Sequence, residues 1–409
     1  GRRTSSSIST KTNSAVSTTS SSTTVFTTLL AKHLKRYVYD SIRLRITKLD
    51  HNLYDVVWPS VKKLPPEPSV RSALDEDFPM GVVAPDYYAY RVFAELLEPM
   101  IKEYNYMDVR QPFGVFKASI DNTGDGVGDV DLDPTGKWVV AGSLECTRNL
   151  SFYELPKSLS PTELEDVERL ITDLLLNSRT AHVLYPNASD DEIREKGSGT
   201  YYTMNEVLEE PSEARVTLAS HGLLIPLWNV PDSDRLHGRH WPYGRGVFLS
   251  NSCNLAVYVN VLDHVRIVTS TESSSPGAVG LIYARLMRIL SILDELNFRQ
   301  DDRLGYLSAR PSTLGCGLKF RLTLKCSNLL REPDNLRQLC AMRGLIFRRS
   351  GGAADVFRVS NRVSVGVNAD QCFSDFTTAV ANILQLEKDM SMMMPETRRN
   401  GLTVFRRRS

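Results

Sequence analysis

Apolar residues recur at helical spacing in four stretches of the chain. In residues 26–38 they return every three or four positions, while basic residues fall on the other faces. The second stretch begins at Ser160 with Glu163 three positions later, the arrangement of a capping box. Residues 283–296 and 376–390 have the same helical spacing. We predict a helix in each stretch, the first packed on its own domain by default, with docking on a partner as the alternative.

Other stretches have the apolar, alternating pattern of β-strands. They are GVFLS (246–250), LAVYVNVL (255–262) and KFRLTLKC (319–326). A chain of 409 residues can bury a large core, and its length predicts two domains. No apolar run reaches the roughly 18 residues that a membrane span requires, so we expect no membrane span.

The formal net charge is only +1, but the basic residues are unevenly placed. No Asp or Glu precedes Asp40, and arginines are concentrated at the other end of the chain. Cationic segments of this kind favour acidic partners, such as RNA or an acidic protein surface. The residues predicted to make these contacts are Arg2, Arg3, Lys32, Lys35, Arg36, Arg406, Arg407 and Arg408.

Residues 1–24 are almost entirely Ser, Thr and basic residues, too polar to pack a core of their own. A segment rich in Arg and Ser without acidic residues resembles an organellar transit segment, which predicts a mitochondrial location. Two alternatives stay open. One is a disordered tail that docks on a partner, and the other is N-myristoylation of Gly1, with Ser5 at the Ser/Thr position of that motif.

No metal site is predicted. The six cysteines form no C-x-x-C pair and no zinc spacing, which indicates free, mostly buried thiols in a reducing compartment. His237 and His240 are close in sequence, but no Cys or carboxylate set nearby completes a site. Residues 121–129 partly resemble a calcium loop, yet Leu132 stands where the loop needs its bidentate Glu. We interpret residues 119–132 as a linker.

Three motifs occur in the order in which one enzyme family carries them. They are GVVAPDYYAYRVFAELLEPMIKEYN (81–105), LDPTGKWVV (132–140) and VYVNVLDHVRIV (257–268). Together they resemble the phosphagen (guanidino) kinases, the arginine and creatine kinase family. The resemblance covers residues 41–390.

This resemblance implies an α+β fold with two domains. Residues 41–118 correspond to the small all-α N-terminal domain. Residues 133–390 correspond to the large domain, an antiparallel β-sheet flanked by helices. A basic Ser/Thr-rich extension with the amphipathic helix (1–40) comes before them, and a basic tail (391–409) follows.

Five positions depart from the family's active-site pattern. Where the family has two glutamates that orient the substrate guanidinium, this chain has Val261 and Leu262. Two phosphate-binding arginines correspond to Ser143 and Glu145, and a carboxylate at position 145 is expected to repel a triphosphate. The family's reactive cysteine corresponds to Arg310, which places a cation where a cationic substrate docks. The resemblance therefore leaves no catalytic residue in place.

Other positions keep the family's chemistry. Arg266 and Arg348 match two phosphate-binding arginines of the family. Lys319 replaces a third arginine and keeps its charge, but an ammonium lacks the planar, bidentate geometry of a guanidinium. His221 and Trp241 match positions that border the nucleotide pocket. We predict at most a residual site for nucleotide or another anion, and no required cofactor.

These departures predict a catalytically inactive phosphagen-kinase homologue that serves as a structural or scaffold subunit of a large assembly. An organellar ribosome, another mitochondrial complex or axonemal microtubules would offer the acidic rRNA or tubulin that basic extensions bind, and the last would place the protein in the flagellar axoneme. The alternative is a regulatory pseudokinase that binds nucleotide or another anion. An active ATP:guanidino phosphotransferase is the third hypothesis. The resemblance leaves monomer and homodimer open.

Overall fold

The computed structural model describes residues 29–61, 68–118, 126–231, 234–350 and 352–393. The first 24 residues and part of the Gly/Asp segment lie outside these ranges. The same is true of five residues predicted to bind partners, Arg2, Arg3, Arg406, Arg407 and Arg408.

Helices form a small domain in the first part of the described chain. They are α1 (described over residues 29–33), α2 (Arg36–Ile42), α3 (Leu53–Val61), α4 (Pro68–Asp77), α5 (Ala89–Val92) and α6 (Ala94–Tyr104). The predicted helix at 26–38 is interrupted, because residues 34 and 35 are not helical. The interruption turns the chain so that Leu29 and Leu30 before it, and Val38 and Ile42 after it, enter the same core. This segment therefore packs on its own domain.

An eight-stranded antiparallel sheet forms the centre of the large domain, in the order β2-β3-β4-β5-β1-β8-β10-β9. All three predicted strands are present as β3, β4 and β8. The strands are β1 (Val139–Arg148), β2 (Gly199–Thr203), β3 (Gly246–Ser250), β4 (Leu255–Val261), β5 (Asp263–Ser270), β8 (Leu318–Lys325), β9 (Leu345–Arg349) and β10 (Val356–Asn361). A separate two-stranded ribbon pairs β6 (Gln300–Asp301) with β7 (Gly305–Tyr306).

The remaining helices flank this sheet. They are α7 (Pro161–Leu175), α8 (Ser178–Leu184), α9 (Asp190–Lys196), α10 (Met204–Leu208), α11 (Glu213–Ser220), α12 (Asp234–His237), α13 (Val279–Leu293), α14 (Pro333–Met342) and α15 (Ala369–Met393). The capping box of Ser160 and Glu163 is present at the start of α7, as predicted. The apolar faces of α7, α13 and α15 pack on the sheet in one core. The predicted α+β fold is confirmed. Among the described residues, no helix combines the length and apolar character that crossing a membrane requires.

The two domains share a core. The apolar cluster of the small domain is completed by side chains of the large one, including Trp228, Leu262, Leu307 and Leu314. Leu262 is the turn residue of the β4–β5 hairpin, where Val261 pairs with Asp263. Its φ of 67° lies in the left-handed region, which costs a non-glycine residue about 1–3 kcal/mol. Burial of its side chain, 3% exposed, offsets that cost.

Candidate active site

A cluster of charged side chains lies where the end of α4 meets the middle of the central sheet. Helix α4 contributes two carboxylates from the small domain, and the large domain contributes one carboxylate and four arginines. We call this group the ion-pair cluster. Its members are Glu76, Asp77, Glu145, Arg266, Arg310, Arg321 and Arg358.

Glu145 on β1 binds three guanidinium groups and is only 1% exposed. Its Oε1 lies 2.7 Å from Nε of Arg266 and 2.5 Å from Nη2 of Arg310, and its Oε2 lies 2.9 Å from Nη1 of Arg321. Burial opposes ionisation of this carboxyl, but the arginines outweigh burial and hold the pKa of Glu145 well below its usual range. The sequence predicted that a carboxylate at position 145 would repel a triphosphate. In the structure the charge of this carboxylate is neutralised by the three arginines around it.

Asp77, the last residue of α4, reaches the same arginines from the small domain. Its Oδ1 accepts hydrogen bonds from Nη2 of Arg266 at 2.6 Å and Nη1 of Arg310 at 2.9 Å. Its Oδ2 accepts from the indole Nε1 of Trp228 at 2.7 Å. Burial acts to raise the pKa of Asp77, but Arg266 and Arg310 outweigh it and lower the pKa. Arg266 and Arg310 therefore each bridge the two domains.

Glu76 extends the cluster toward solvent. Its Oε1 lies 2.9 Å from Nε of Arg321 and 2.7 Å from Nη1 of Arg358. The Arg358 side chain is 40% exposed, whereas that of Arg321 is only 14% exposed. The cluster therefore passes from a dry interior at Glu145 to a wet edge at Arg358.

The positions that depart from the family pattern are filled. Val261 is fully buried in an apolar cluster beneath the sheet, and Leu262 joins the core shared by the domains. Arg310 is 2% exposed and also donates to the hydroxyl of Thr147 at 2.8 Å. An apolar pair can neither accept hydrogen bonds from a guanidinium nor offset its charge. The guanidinium group buried at this site is the side chain of Arg310, not that of a substrate.

An open cleft lies beside the cluster. It has a volume of about 560 Å³, and its lining includes Ser143, His221, Arg321 and Arg358. Ser143 and His221, two predicted site residues, are thus brought together. Trp241 lies elsewhere, stacked on His237 at 3.8 Å between ring centroids and donating to the side chain of Asn229.

Lys319 and Arg348 are held on the strands beyond the cluster. Lys319 is 5% exposed, and its Nζ donates to the backbone oxygen of Asn361 at 2.6 Å and to the Tyr104 hydroxyl at 3.3 Å. Burial, aided by the nearby charges of Arg321 and Arg348, lowers the pKa of Lys319 to about 7. Arg348 donates to the backbone oxygen of Asp75. Arg266, Lys319 and Arg348 therefore do not converge on one open site.

Sequence reasoning missed four members of the cluster, and the pattern held a partial signal for them. Glu76 and Asp77 are consecutive acids that end a helix, and Arg321 follows Lys319 on the same face of β8. Arg358 lies on the neighbouring strand, where it pairs with Thr323. Basic residues aligned across neighbouring strands predict a cationic face. No local pattern, however, indicates that the end of α4 covers it.

The three predicted partner-binding residues within the described chain differ in their contacts. The Nζ of Lys32 lies 2.8 Å from a carboxylate oxygen of Glu103 on α6, so this lysine helps to hold α1 on its own domain. Arg36 is 3.7 Å from Asp40, with a side chain that is 94% exposed. Lys35 is exposed at the start of α2.

The described residues contain no group of His, Cys, Asp and Glu that could hold a metal ion. His237 is buried, and its Nε2 lies 2.8 Å from the backbone oxygen of Leu227. All six cysteines are free, and five of them are buried.

Comparison with known proteins supports the resemblance drawn from the motifs. The family model for the C-terminal catalytic domain of the ATP:guanido phosphotransferases matches residues 183–390, and the model for the N-terminal domain matches residues 26–102. A probable arginine kinase of Caenorhabditis elegans is 28% identical over 378 residues, which cover 88% of this chain and 84% of that protein. Limulus polyphemus arginine kinase is 26% identical over 375 residues, covering 88% and 92%.

Solved structures agree in fold. Lombricine kinase has a TM-score of 0.66 and 22% identity, and the match covers 90% of this chain and 93% of that one. A duplicated taurocyamine kinase from Schistosoma mansoni also has a TM-score of 0.66 and 22% identity, and this chain spans 48% of its length. The N-terminal and C-terminal domain models match in the order that the family has, and the C-terminal model alone covers half of the chain. The protein therefore belongs to the ATP:guanido phosphotransferase family.

Proposed function

We propose that this protein is a non-catalytic member of its family that acts as a structural subunit of a larger assembly. The observation that carries the proposal is the pairing of Asp77 and Glu145 with Arg266 and Arg310. Phosphoryl transfer depends on free cations around the phosphates and on an aligned acceptor. Here the cations are bound to the chain's own carboxylates.

Substrate would have to displace these internal pairs. A buried charge that loses its partner is destabilised by about 3–5 kcal/mol, so a triphosphate entering among the arginines would leave Asp77 and Glu145 unpaired at high cost. The acceptor side lacks a carboxylate as well, since Val261 and Leu262 are apolar and buried. Losing one electrostatic stabiliser alone lowers turnover by about 10²–10³-fold.

The test of inactivity is a phosphoryl-transfer assay with Mg-ATP and a panel of guanidino compounds, among them arginine, creatine, taurocyamine and lombricine. We expect no phosphagen above the level of a sample denatured beforehand. A matched assay of a catalytically competent arginine kinase shows that the conditions allow turnover. Phosphagen formation from any of the four compounds would contradict the proposal.

The structural role is supported by an α+β fold whose core and ion pairs are complete without ligand, and by the basic residues at both ends of the chain. An assembly rich in rRNA, or a microtubule, is the partner that these charges favour. Sedimentation of the tagged endogenous protein from a gentle lysate, with mass spectrometry of its fraction, tests the role. We expect migration with a large particle. Migration as a free monomer or dimer would reject it.

A second candidate function is nucleotide sensing in the open cleft. The cleft beside His221 is large enough for a small ligand and has Arg321 and Arg358 in its lining. Thermal unfolding with and without Mg-ADP or Mg-ATP distinguishes the candidates. A ligand present at 100 times its Kd adds about 2.7 kcal/mol of stability, whereas a purely structural subunit shows no shift.

A further inference from the structure

Two buried thiols meet where the start of β8 packs against α15. Cys316 precedes β8 and is 2% exposed, and Cys372 lies in the first turn of α15 and is 3% exposed. The two side chains form a hydrogen bond with each other, although the residues are distant in sequence. Neither thiol belongs to the ion-pair cluster or lines the open cleft beside it.

The backbone on the β8 side is held close to the segment that leads into α15. The amide of Cys316 donates to the backbone oxygen of Ser364 at 2.9 Å. Gly315 makes this approach possible, because its φ is 81° and a Cβ there would lie 2.0 Å from that same oxygen. The Arg148 guanidinium donates to the backbone oxygen of Cys316 at 3.0 Å. The backbone that carries the Cys316 thiol is therefore fixed on both sides.

The sulfur of Cys372 is bound to the same segment. It accepts a hydrogen bond from Nδ2 of Asn361 at 3.4 Å, and its thiol donates to the backbone oxygen of Val363 at 3.8 Å. Both cysteines thus contact residues 361–364, which explains how two thiols from separate elements come together.

Cys372 is also the thiol that small molecules can reach. It is among the lining residues of an open cleft of about 380 Å³ between α15 and the turn from α14 to β9. Met342 of α14 and Phe376 of α15 line the same cleft. The cleft gives a small oxidant a path to Cys372 and to the thiol that is hydrogen-bonded to it.

We propose that Cys316 and Cys372 are a reversible disulfide site, oxidised by a hydroperoxide such as hydrogen peroxide. The O–O bond of the oxidant breaks and an S–S bond forms, while the two thiol protons leave on the two oxygen atoms, as two waters when the oxidant is hydrogen peroxide. A thiol reductant reverses the reaction, so the site stays reduced until an oxidant is present. The proposal does not depend on whether the protein acts as a structural subunit.

The hydrogen bond between the thiols prepares them for this reaction. It lowers the pKa of Cys316 and raises that of Cys372, so Cys316 ionises first and supplies the nucleophilic sulfur. Burial instead raises the pKa of Cys146 to about 11 and that of Cys340 to about 12. We expect these two thiols to stay protonated and to react more slowly.

The bond would join α15 to a part of the large domain that holds the small one. Asn105, which follows α6, accepts hydrogen bonds on its Oδ1 from the backbone amides of Ser364 and Val365 at 2.9 and 3.0 Å. A disulfide between positions 316 and 372 closes a loop that contains both amides. Because a closed loop restricts the unfolded chain, oxidation should stabilise the folded chain, this contact between the domains included.

The test maps disulfides in the full chain after treatment with hydrogen peroxide. Remaining thiols are blocked with an alkylating agent during acid denaturation, and the chain is digested without reductant for mass spectrometry. We expect one linked pair of peptides, holding Cys316 and Cys372, that is absent after treatment with dithiothreitol. Oxidation confined to the partly exposed Cys253, or a bond between another pair, would overturn the proposal.

Two variants and a matched control locate the reaction. Cys316→Ser and Cys372→Ser should each remove the linked peptides, whereas Cys253→Ser should leave them unchanged. A disulfide that forms equally well in Cys316→Ser or in Cys372→Ser would contradict the assignment of this pair.

Thermal unfolding of the unmodified chain gives a second measurement that needs no variant. The oxidised chain should unfold at a midpoint a few degrees above that of the reduced chain, because a native cross-link restricts the unfolded state. Dithiothreitol should reverse the shift. An oxidised chain that carries the bond and unfolds at the same or a lower temperature would overturn the stabilising role.

Discussion

Two neighbouring parts of the candidate site are filled by opposite kinds of residue. Around the β4–β5 hairpin, Val261 and Leu262 fill the space with apolar groups that need no partner. At the ion-pair cluster, Asp77 and Glu145 fill it with charge that is stable only while the buried Arg266, Arg310 and Arg321 are present. An apolar filling tolerates change gradually, whereas a charged filling fails when one member is removed.

The largest effect is expected from Glu145→Gln. The change leaves Arg266, Arg310 and Arg321 without a shared carboxylate in a dry environment, and should lower the free energy of unfolding by about 3–5 kcal/mol. Urea unfolding monitored by circular dichroism measures it. The control is Asp166→Asn, which breaks an exposed pair with Arg169 and should cost less than about 1 kcal/mol. Similar losses for the two variants would show that the cluster is not a stabilising unit.

On the hairpin side, Leu262→Ala should lower the free energy of unfolding by about 2–4 kcal/mol, because it leaves a cavity in the shared core. The left-handed strain is the same for Leu and Ala, so the measured loss reports packing alone. Leu281, which is 50% exposed on α13, supplies the matched control Leu281→Ala. If both leucines cost the same in urea unfolding, the packing argument for Leu262 fails.

The hairpin region and the ion-pair cluster should also lose stability at different pH values when the solution is acidified. Burial lowers the pKa of His264, next to the hairpin, and of His237 to about 3, against an ordinary value of 6.5. The unfolded chain therefore binds more protons than the folded one between these values, and stability falls as the pH drops below 6.5. Each histidine contributes about 1.4 kcal/mol per pH unit.

The cluster behaves differently, because its arginines hold the carboxylate pKa values down. The stability that Asp77 and Glu145 contribute is present above the pKa of an unfolded carboxyl and is lost only at lower pH. Urea unfolding at a series of pH values should thus show histidine-driven loss first. His264→Gln should flatten that first part of the curve, while Glu145→Gln should not. The reverse result would assign the early loss to the cluster.

The smallest effect is expected at the wet edge of the cluster. Arg358→Met removes a 40% exposed partner of Glu76 and should change the free energy of unfolding by no more than about 1 kcal/mol. The change should shrink further at high salt, since exposed charges are screened. A loss as large as that of Glu145→Gln would mean that the edge is as dry as the interior.

Much of the fold was predictable from the sequence because periodicity and capping act locally. The box at Ser160 fixed the start of α7, and alternation identified β3, β4 and β8. The interruption after α1 was not predictable, since the chain bends to satisfy the packing of Leu29 and Val38 on a core assembled from distant residues.

The candidate site was predictable only in part. The resemblance identified Glu145 and Arg310 as departures from the family's active-site pattern. Each was interpreted by its effect on a substrate, and a pairing of the two residues with each other was not predicted. In the structure Arg310 lies 2.5 Å from Glu145, and Asp77 binds Arg310 from the other domain. Both contacts join residues that are at least 165 positions apart in the sequence. Such contacts leave no periodic signal in one sequence.

The shared core has a consequence for how the chain folds and breaks. Because Trp228, Leu262 and Leu314 of the large domain complete the apolar cluster of the small one, the small domain has no closed interior by itself. The helices of the small domain, made alone, would present that open interior to solvent and associate with one another. Unfolding of the intact chain should accordingly be a single cooperative event.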